Sequence, residues 1–279
     1  MTGHVVARRV RGRWLSVAGL ALAAALVSPY VVMLCTALKP ETELRTRPPR
    51  LTPVHWQPGN FVAVLRDPDF QAWLRVSLIV AGASMALVLL AAAPAAYYTA
   101  RHRFRGRTAF LFLVLVTQMF SPTALVVGLY REFFQLDLTN TYTALILSNS
   151  AFSLAFAVWI LRAFFASLPS EIEEAAAVDG CGPLGALIRI VLPLSLPGLV
   201  TAAIFTFIAA WNEYIVALTL MTGPDKRPLT VGITSYVTAY VQHWELLFAA
   251  SVIAIVPVVV LFALIEPYLV DGLTAGSVK

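Results

Sequence analysis

The chain has 279 residues, of which 59% are hydrophobic and 13% charged, and its formal net charge is +5. Soluble domains contain about 25% charged and about 45–50% apolar residues, so this composition excludes an ordinary soluble enzyme, a disordered chain and a collagen. The apolar surface requires lipid, and the basic excess indicates arginines at a membrane face rather than nucleic-acid binding.

Six long uncharged runs divide the chain, each near the roughly 20 residues that a helix needs to cross a bilayer. The runs are continuous rather than alternating, which favours helices over a barrel. We therefore predict an all-α integral membrane protein with six transmembrane helices in one domain, residues 14–270. The spans are expected at about 14–38, 76–100, 108–130, 138–161, 194–221 and 246–268.

Two arginine clusters predict the orientation of these spans. One lies in the N-terminal tail, residues 1–13, and the other in the short loop 101–107. Short loops rich in arginine face the cytoplasm, and alternating spans place both clusters on the same side. We expect both termini, including the tail 271–279, on the cytoplasmic side of the membrane, and residues 39–73 outside.

The sequence lacks the residues that several kinds of catalytic or binding site require. A phosphate-binding P-loop requires a lysine preceded by glycine, and none of Lys39, Lys226 and Lys279 has one. All four histidines lie outside the predicted spans, and no span contains two aspartates. We expect no catalysis, no metal and no cofactor bound by this chain.

The loop 162–193 contains a pattern typical of a short surface helix. Ser170 and Glu173 have the spacing of a capping box, the alanines that follow favour helix, and Gly180 suits a helix C-terminus. We predict a cytoplasmic helix over 170–180 with an acidic face, which either docks into another protein or lies passively beside the membrane.

This loop resembles the EAA loop of bacterial ABC-importer permeases. The matching elements are Glu174-Ala175-Ala176, Gly180, Ile190 and Leu192-Pro193. The whole chain is similar to carbohydrate-importer permeases of the maltose-transporter second-subunit type, with one departure at Val76-Ser77, where many members have Asn-Ser. Further matching positions are Lys39-Pro40, Asn60-Phe61, Ala100-Arg101, Phe104, Gly106, Pro122, Leu129-Tyr130, Thr139-Asn140-Thr141, Ala210-Trp211-Asn212-Glu213 and the tail 272–279.

The resemblance implies a type I ABC importer permease fold and a set of partners. These are a homologous second permease subunit, two ATPase subunits that use ATP and Mg, and an extracytoplasmic substrate-binding protein or lipoprotein. The implied cargo is a sugar or related polyol. The implied ATPase-coupling residues are Glu173, Glu174, Ala175, Ala176, Asp179, Gly180, Ile190, Leu192 and Pro193, and the tail residues Thr274, Gly276 and Lys279 are expected to contact the ATPase as well.

A neutral sugar needs aromatic and hydrogen-bonding surfaces rather than fixed charge. The candidates for the substrate path are Gln118, Asn149, Trp211, Asn212 and Glu213. An acid facing lipid costs about 2.5–3.5 kcal/mol on insertion scales, so we expect Glu213 to face the path or a partner helix. Alternatively, the fifth span ends near Asn212 and Glu213 lies at the interface.

Two other functions stay open at this point. The first is an ABC permease for a non-sugar solute such as glycerol 3-phosphate, whose phosphate would require basic residues from the partner permease. The second is a secondary carrier, which usually has coupling-ion ligands within its spans. These spans contain few such groups.

Overall fold

A computed structural model describes the backbone of residues 3–46, 48, 50–240 and 242–274, and the side chains of residues 16–46, 48, 50–240 and 242–265. This described part is almost entirely helical and contains no β-strand, although one antiparallel bridge joins Val237 to Gln242. The predicted all-α class is confirmed. Gly276, Lys279 and the side chain of Thr274, which were expected to contact the ATPase, lie outside the described residues.

Most helices follow one another with short connections, and the segment 45–58 between α2 and α3 is a longer one. A π-helix, Leu187–Val191, links α9 to α10, and two 3-10 helices, Pro224–Lys226 and Ile233–Tyr236, flank α13. The α-helices in the described part are α1 (Gly3–Ala37), α2 (Glu41–Leu44), α3 (Gly59–Arg66), α4 (Pro68–Arg101), α5 (Arg107–Thr117), α6 (Pro122–Gln135), α7 (Tyr142–Ser167), α8 (Glu171–Val178), α9 (Pro183–Ala186), α10 (Leu192–Leu194), α11 (Leu196–Trp211), α12 (Ile215–Leu220), α13 (Leu229–Gly232) and α14 (Trp244–Thr274).

Four described helices, α1, α4, α7 and α14, are individually long and apolar enough to cross a membrane. Two more segments reach that length only as bent pairs, α5 with α6 and residues 183–194 with α11. Counting each pair as one span gives six, the number expected from the sequence.

Proline explains the position of both bends. The α5–α6 pair turns by 95° across residues 118–121, and Pro122 is at the first position of α6. Proline has no N–H and its ring clashes with the carbonyl four residues earlier, so it starts a helix more readily than it continues one. The second pair turns by 83° at Ser195, between Pro193 and Pro197. The first bend interrupts the segment expected at 108–130. The second lies at the start of the segment expected at 194–221, which is interrupted instead at residues 212–214, between α11 and α12.

The chain divides into two compact units, a first of residues 1–67 with 233–255 and a second of residues 68–232 with 256–279. In the second unit, α4, α7 and α11 pack against one another around a core rich in alanine. Small residues let helix backbones approach closely where no hydrophobic effect drives association. The buried core residues are Val88, Ala92, Ala93, Ala96, Tyr97, Ala157, Val158, Leu161, Phe165, Leu187, Val191 and Ala202.

Gly198 of α11 packs tightly against Phe164 of α7. A β-carbon built on Gly198 would lie 2.5 Å from Cγ and 2.9 Å from Cβ of Phe164. These atoms are near the root of the phenylalanine side chain, so they cannot swing away. Only glycine fits this crossing without a shift of one helix.

In the first unit, polar side chains hold the segment that follows α1. The amide of Asn60, which is 5% exposed, donates hydrogen bonds to the carbonyls of Ala37 and Lys39 at 2.8 and 2.9 Å. Lys39 Nζ donates to the carbonyl of Arg50 at 2.5 Å. The carbonyls of Ala37 and Lys39, at and just after the end of α1, lack helical partners and are satisfied by Asn60. Both Lys39 and Asn60 are positions at which the sequence resembles the carbohydrate-importer permeases.

Candidate coupling helix and translocation residues

The loop 162–193 contains the predicted helix, now α8, and its C-terminus has a defined geometry. Gly180 has a φ of +79°, and its N–H donates to the carbonyl of Ala177 at 3.0 Å. The N–H of Cys181 donates to the carbonyl of Ala176 at 2.9 Å. Together these bonds form a Schellman motif, in which glycine takes the left-handed position without strain. The sequence prediction for Gly180 agrees with this geometry.

The N-terminus of α8 differs from the prediction. The side chain of Ser170 makes no capping hydrogen bond, so the expected capping box is wrong. Glu173 instead accepts hydrogen bonds from Tyr97 Oη at 2.7 Å and from Arg101 Nε at 2.6 Å, both at the end of α4. A charge-assisted bond to arginine is stronger than a neutral one, and it competes successfully with the local cap.

Arg101 also holds the chain just before α8. Its Nη1 donates to the carbonyl of Leu168 at 3.0 Å, while Nε pairs with Glu173. The side chains of Arg101 and Glu173 are 14% and 15% exposed, so water screens this ion pair little. One arginine therefore fixes both the entry to α8 and its first turn against α4.

The other expected coupling residues divide by exposure. Glu174, Ala175, Asp179 and Gly180 are exposed, whereas Ala176 is buried at 7%. The predicted coupling residues therefore fall into an exposed group and a second group, Glu173 and Ala176, whose side chains face the rest of the chain. Sequence reasoning had assigned all of them to one docking face.

Exposed apolar side chains accompany these acids, and sequence reasoning did not single them out. They are Ile172, Val178, Leu184 and Ile188, exposed by 39%, 89%, 68% and 57%. Four exposed apolar side chains within 17 residues of one loop add apolar area beside the exposed acids. The available signal was their position, since all four lie in the loop 162–193 that resembles the EAA loop.

Ile190, Leu192 and Pro193 belong to the connection between α9 and α11. The N–H of Leu192 donates to the carbonyl of Leu187, five residues earlier, as in a π-helix. A π-turn is a recognised way to accommodate an irregularity within a helix, and Pro193, which lacks an N–H, follows immediately. Leu187 and Val191 are buried in the core, so this part of the motif joins the loop to the helix bundle.

One expected path residue lines a cavity. Gln118 borders a space of about 350 Å³ in the second unit, and its amide donates to the carbonyl of Phe152 at 3.4 Å. Asn149 and Trp211 are buried at 5% and 4%, and Asn212 is exposed. The cavity lining combines aromatic rings with hydroxyl and amide groups: Thr117, Gln118, Phe120, Pro122, Phe152, Ser153, Phe156, Phe205, Thr206 and Ala209.

Glu213 caps a helix, a role that sequence reasoning did not consider. α11 ends at Trp211, and the Glu213 carboxylate accepts hydrogen bonds from the N–H groups of Val216 and Ala217 at 2.7 and 2.8 Å. These donors are in the first turn of α12, where backbone N–H groups lack helical partners and negative charge is favourable. The Glu213 carbonyl also accepts from Thr230 Oγ1 at 2.7 Å.

These features define a helical membrane protein with a structured loop held beneath a three-helix core. A family model described as binding-protein-dependent transport system inner membrane component matches residues 89–274. The chain belongs to this family.

The relatives and solved structures agree with this assignment. The chain is 37% identical over 256 residues to the sulfoquinovosyl glycerol transport system permease protein SmoH of Agrobacterium fabrum, covering 90% of this chain and 88% of the relative. It is 38% identical over 223 residues to the trehalose/maltose transport system permease protein MalG of Thermococcus litoralis, covering 79% and 80%. A bacterial ABC transporter chain involved in alginate import has the same fold, with a TM-score of 0.82 at 22% identity, covering 94% and 97%.

Proposed function

We propose that this chain is a permease subunit of an ABC importer for a sugar or related polyol, and that separate ATPase subunits drive it through α8. The observation that carries the proposal is the geometry of α8, a short helix that exposes acids and apolar side chains while Arg101 fixes it to α4. The substrates in the names of the relatives SmoH and MalG, sulfoquinovosyl glycerol and trehalose/maltose, support a carbohydrate cargo.

The exposed face of α8 suits a cleft in an ATPase. Val178 offers an apolar centre at 89% exposure, and Glu174 and Asp179 offer charged contacts beside it. An interface with a desolvated apolar anchor and charged neighbours gains both affinity and register. Closure of the ATPase pair would then carry α8 along as a rigid body, because Glu173 and Arg101 connect it to the helix bundle.

The cavity beside Gln118 is the proposed contribution of this chain to the substrate path. Its ten lining residues are uncharged and include four phenylalanines. Aromatic faces with a few placed polar groups are typical of sites for neutral organic ligands. A phosphorylated solute would need cations, which in this proposal would have to come from the partner permease.

The remaining parts of the proposed assembly are a homologous second permease, two ATPase subunits with ATP and Mg, and an extracytoplasmic binding protein. The family description, which refers to binding-protein-dependent transport, supports the last of these. We place both termini and α8 in the cytoplasm and residues 39–73 outside, because short arginine-rich segments face the cytoplasm.

The test is to disrupt α8 without disturbing the membrane helices. Glu174→Lys removes an exposed acid, and loss of one partner of a desolvated charge pair costs about 2–5 kcal/mol, or roughly 30-fold or more in affinity. Gly180→Val forces a β-branched residue into a left-handed backbone and should act in the same direction. Both variants should reach the membrane and lose ATPase in pull-downs and in substrate-stimulated hydrolysis.

The controls have the same chemistry away from the loop 162–193. Glu132→Lys reverses an exposed acid in α6, and Gly59→Val changes an exposed glycine at the start of α3 with open space around it. Both should keep the ATPase. Stoichiometric ATPase and normal stimulated turnover in Glu174→Lys and Gly180→Val would contradict the proposal, and uptake abolished by a proton uncoupler but insensitive to vanadate would favour a secondary carrier.

A further inference from the structure

Three side chains with metal-ligand chemistry converge in the first unit. Glu41 opens α2, His243 directly precedes α14, and Glu245 is in the first turn of α14. One ligand atom from each lies within 4.8 Å of the other two. His243 Nδ1 is 3.2 Å from Glu245 Oε1 and 4.0 Å from Glu41 Oε2.

A second observation indicates that this cluster binds a cation. Glu245 is only 6% exposed, and its Oε2 is buried without a hydrogen-bond partner in the described part of the chain. A buried carboxylate oxygen with no donor or cation is costly. A metal ion held jointly with His243 would supply the missing charge.

The surrounding contacts hold the ligand atoms in place. The backbone N–H of His243 donates to the carbonyl of Tyr236 at 2.9 Å, and Tyr236 Oη donates to Asp67 Oδ2 at 2.6 Å. Arg45 Nη2 bonds Glu41 Oε1 at 2.6 Å, which leaves Oε2 on the side of the histidine. Outer contacts of this kind orient metal ligands and raise affinity.

The distances between the ligand atoms and the types of ligand both favour zinc. Zinc bonds to nitrogen and oxygen are about 2.0–2.2 Å long, so ligand atoms at the corners of a tetrahedron lie about 3.4 Å apart. The observed separations of 3.2 and 4.0 Å lie on either side of this value. Imidazole suits zinc and its neighbours in the periodic table, whereas Ca²⁺ and Mg²⁺ prefer oxygen ligands alone.

We propose that Glu41 Oε2, His243 Nδ1 and both carboxylate oxygens of Glu245 bind a zinc ion, with a water completing the coordination. The side chains of Glu41 and His243 are 41% and 43% exposed, so a hydrated ion can reach the site from solvent. The ion would connect α2 to the start of α14 within the first unit. This inference is independent of the transported solute and of the proposed coupling role of α8.

The test uses the full-length chain in lipid nanodiscs after removal of metals with a chelator. Titration with ZnCl₂ alone should give saturable binding of one ion per chain by calorimetry. At a hundredfold excess over Kd, the midpoint of thermal unfolding should rise by about 5 °C. Glu245→Gln and His243→Asn should each weaken zinc binding by at least about tenfold, while Glu132→Gln, an exposed acid in α6, should bind zinc as the natural chain does.

A second measurement separates a metal site from a simple ion pair between Glu245 and His243. In the metal-free state, the metal-site proposal expects Glu245→Gln to be at least as stable as the natural chain, since the amide removes an uncompensated buried charge. The proposal is overturned if the natural chain shows no saturable zinc binding, if Glu245→Gln keeps the full affinity, or if CaCl₂ stabilises the chain as much as ZnCl₂ does.

Discussion

Two adjacent glutamates of α8 have opposite environments. Glu173 is 15% exposed and bonded to Tyr97 and Arg101, while Glu174 is exposed. Adjacent helix residues point about 100° apart, so one acid can face the bundle while the next faces outward. We therefore assign Glu173 to positioning α8 and Glu174 to partner contact, which refines the single docking face expected from the sequence.

Loss of Glu173 should loosen α8 locally. Glu173→Ala leaves the largely buried Arg101 without its acid, and breaking such a pair costs about 3 kcal/mol. Amide hydrogen exchange in residues 171–181 should then accelerate about 100-fold, which can be measured by mass spectrometry of the solubilised chain. The control Glu171→Ala removes an exposed first-turn acid and should cost only about 0.5 kcal/mol. Equal protection in the two variants would contradict the positioning role.

Removal of the Glu213 carboxylate should destabilise the break between α11 and α12. Glu213→Ala leaves two backbone N–H groups of α12 without their acceptor, and loss of a helix cap costs about 1–2 kcal/mol. The midpoint of thermal unfolding in detergent should be lower for Glu213→Ala than for the natural chain. Glu213→Gln keeps one acceptor oxygen, so its midpoint should lie between those two. Lost uptake with an unchanged unfolding midpoint would instead support the expectation that Glu213 faces the substrate path.

The sequence could locate α8 but not the partners of its acids. The alanine run and Gly180 are local signals, and they predict the helix and its C-terminal motif. The ion pair of Glu173 joins residues 72 positions apart, and no local pattern reports such a pairing. The capping box failed for this reason, because a distant arginine offered the carboxylate a stronger bond than the nearby backbone N–H.

At the level of helices, the number of apolar segments was predictable and their continuity was not. Charge-free runs identify segments long enough to cross a bilayer, but Pro122 and Pro193 lie inside or beside such runs. Membrane helices tolerate proline when neighbouring groups satisfy the freed backbone, so its presence alone does not predict a bend. The structure shows bends of 95° and 83° at these prolines, which the charge-free runs alone did not predict.

Replacement by alanine should change the stability in opposite directions at two glycines, one at the contact of α7 with α11 and one at an open site in α6. Gly198→Ala places a methyl group against the root of the Phe164 side chain, and such overpacking costs about 1–3 kcal/mol. Gly128→Ala adds a methyl group to an open site in α6 and should stabilise the helix by about 0.5–1 kcal/mol. Differential scanning fluorimetry of the purified variants should show a lower midpoint for the first and an unchanged or higher one for the second. An unchanged midpoint for Gly198→Ala would show that α7 and α11 can move apart at little cost in stability.

For the whole molecule, the arginine clusters predict one orientation in the membrane. In a chain without its natural cysteines, a cysteine at His55 should react with a membrane-impermeant maleimide in intact cells. A cysteine at His102 should react only after the membrane is opened, because the arginine-rich loop 101–107 is expected inside. The reverse labelling pattern would invert the topology and place α8 outside.

Two contacts far apart on α4 have a thermodynamic consequence. Arg101, the last residue of α4, holds α8, and Ser77 Oγ, nine residues from the start of the helix, accepts a hydrogen bond from the N–H of Leu229 at 2.7 Å. The two contacts are about 36 Å apart along the helix axis. If α4 has two tilts that both contacts sense, a ligand that favours one tilt near Leu229 must change the affinity at α8. By reciprocity, binding at α8 must then change the affinity near Leu229 by the same factor.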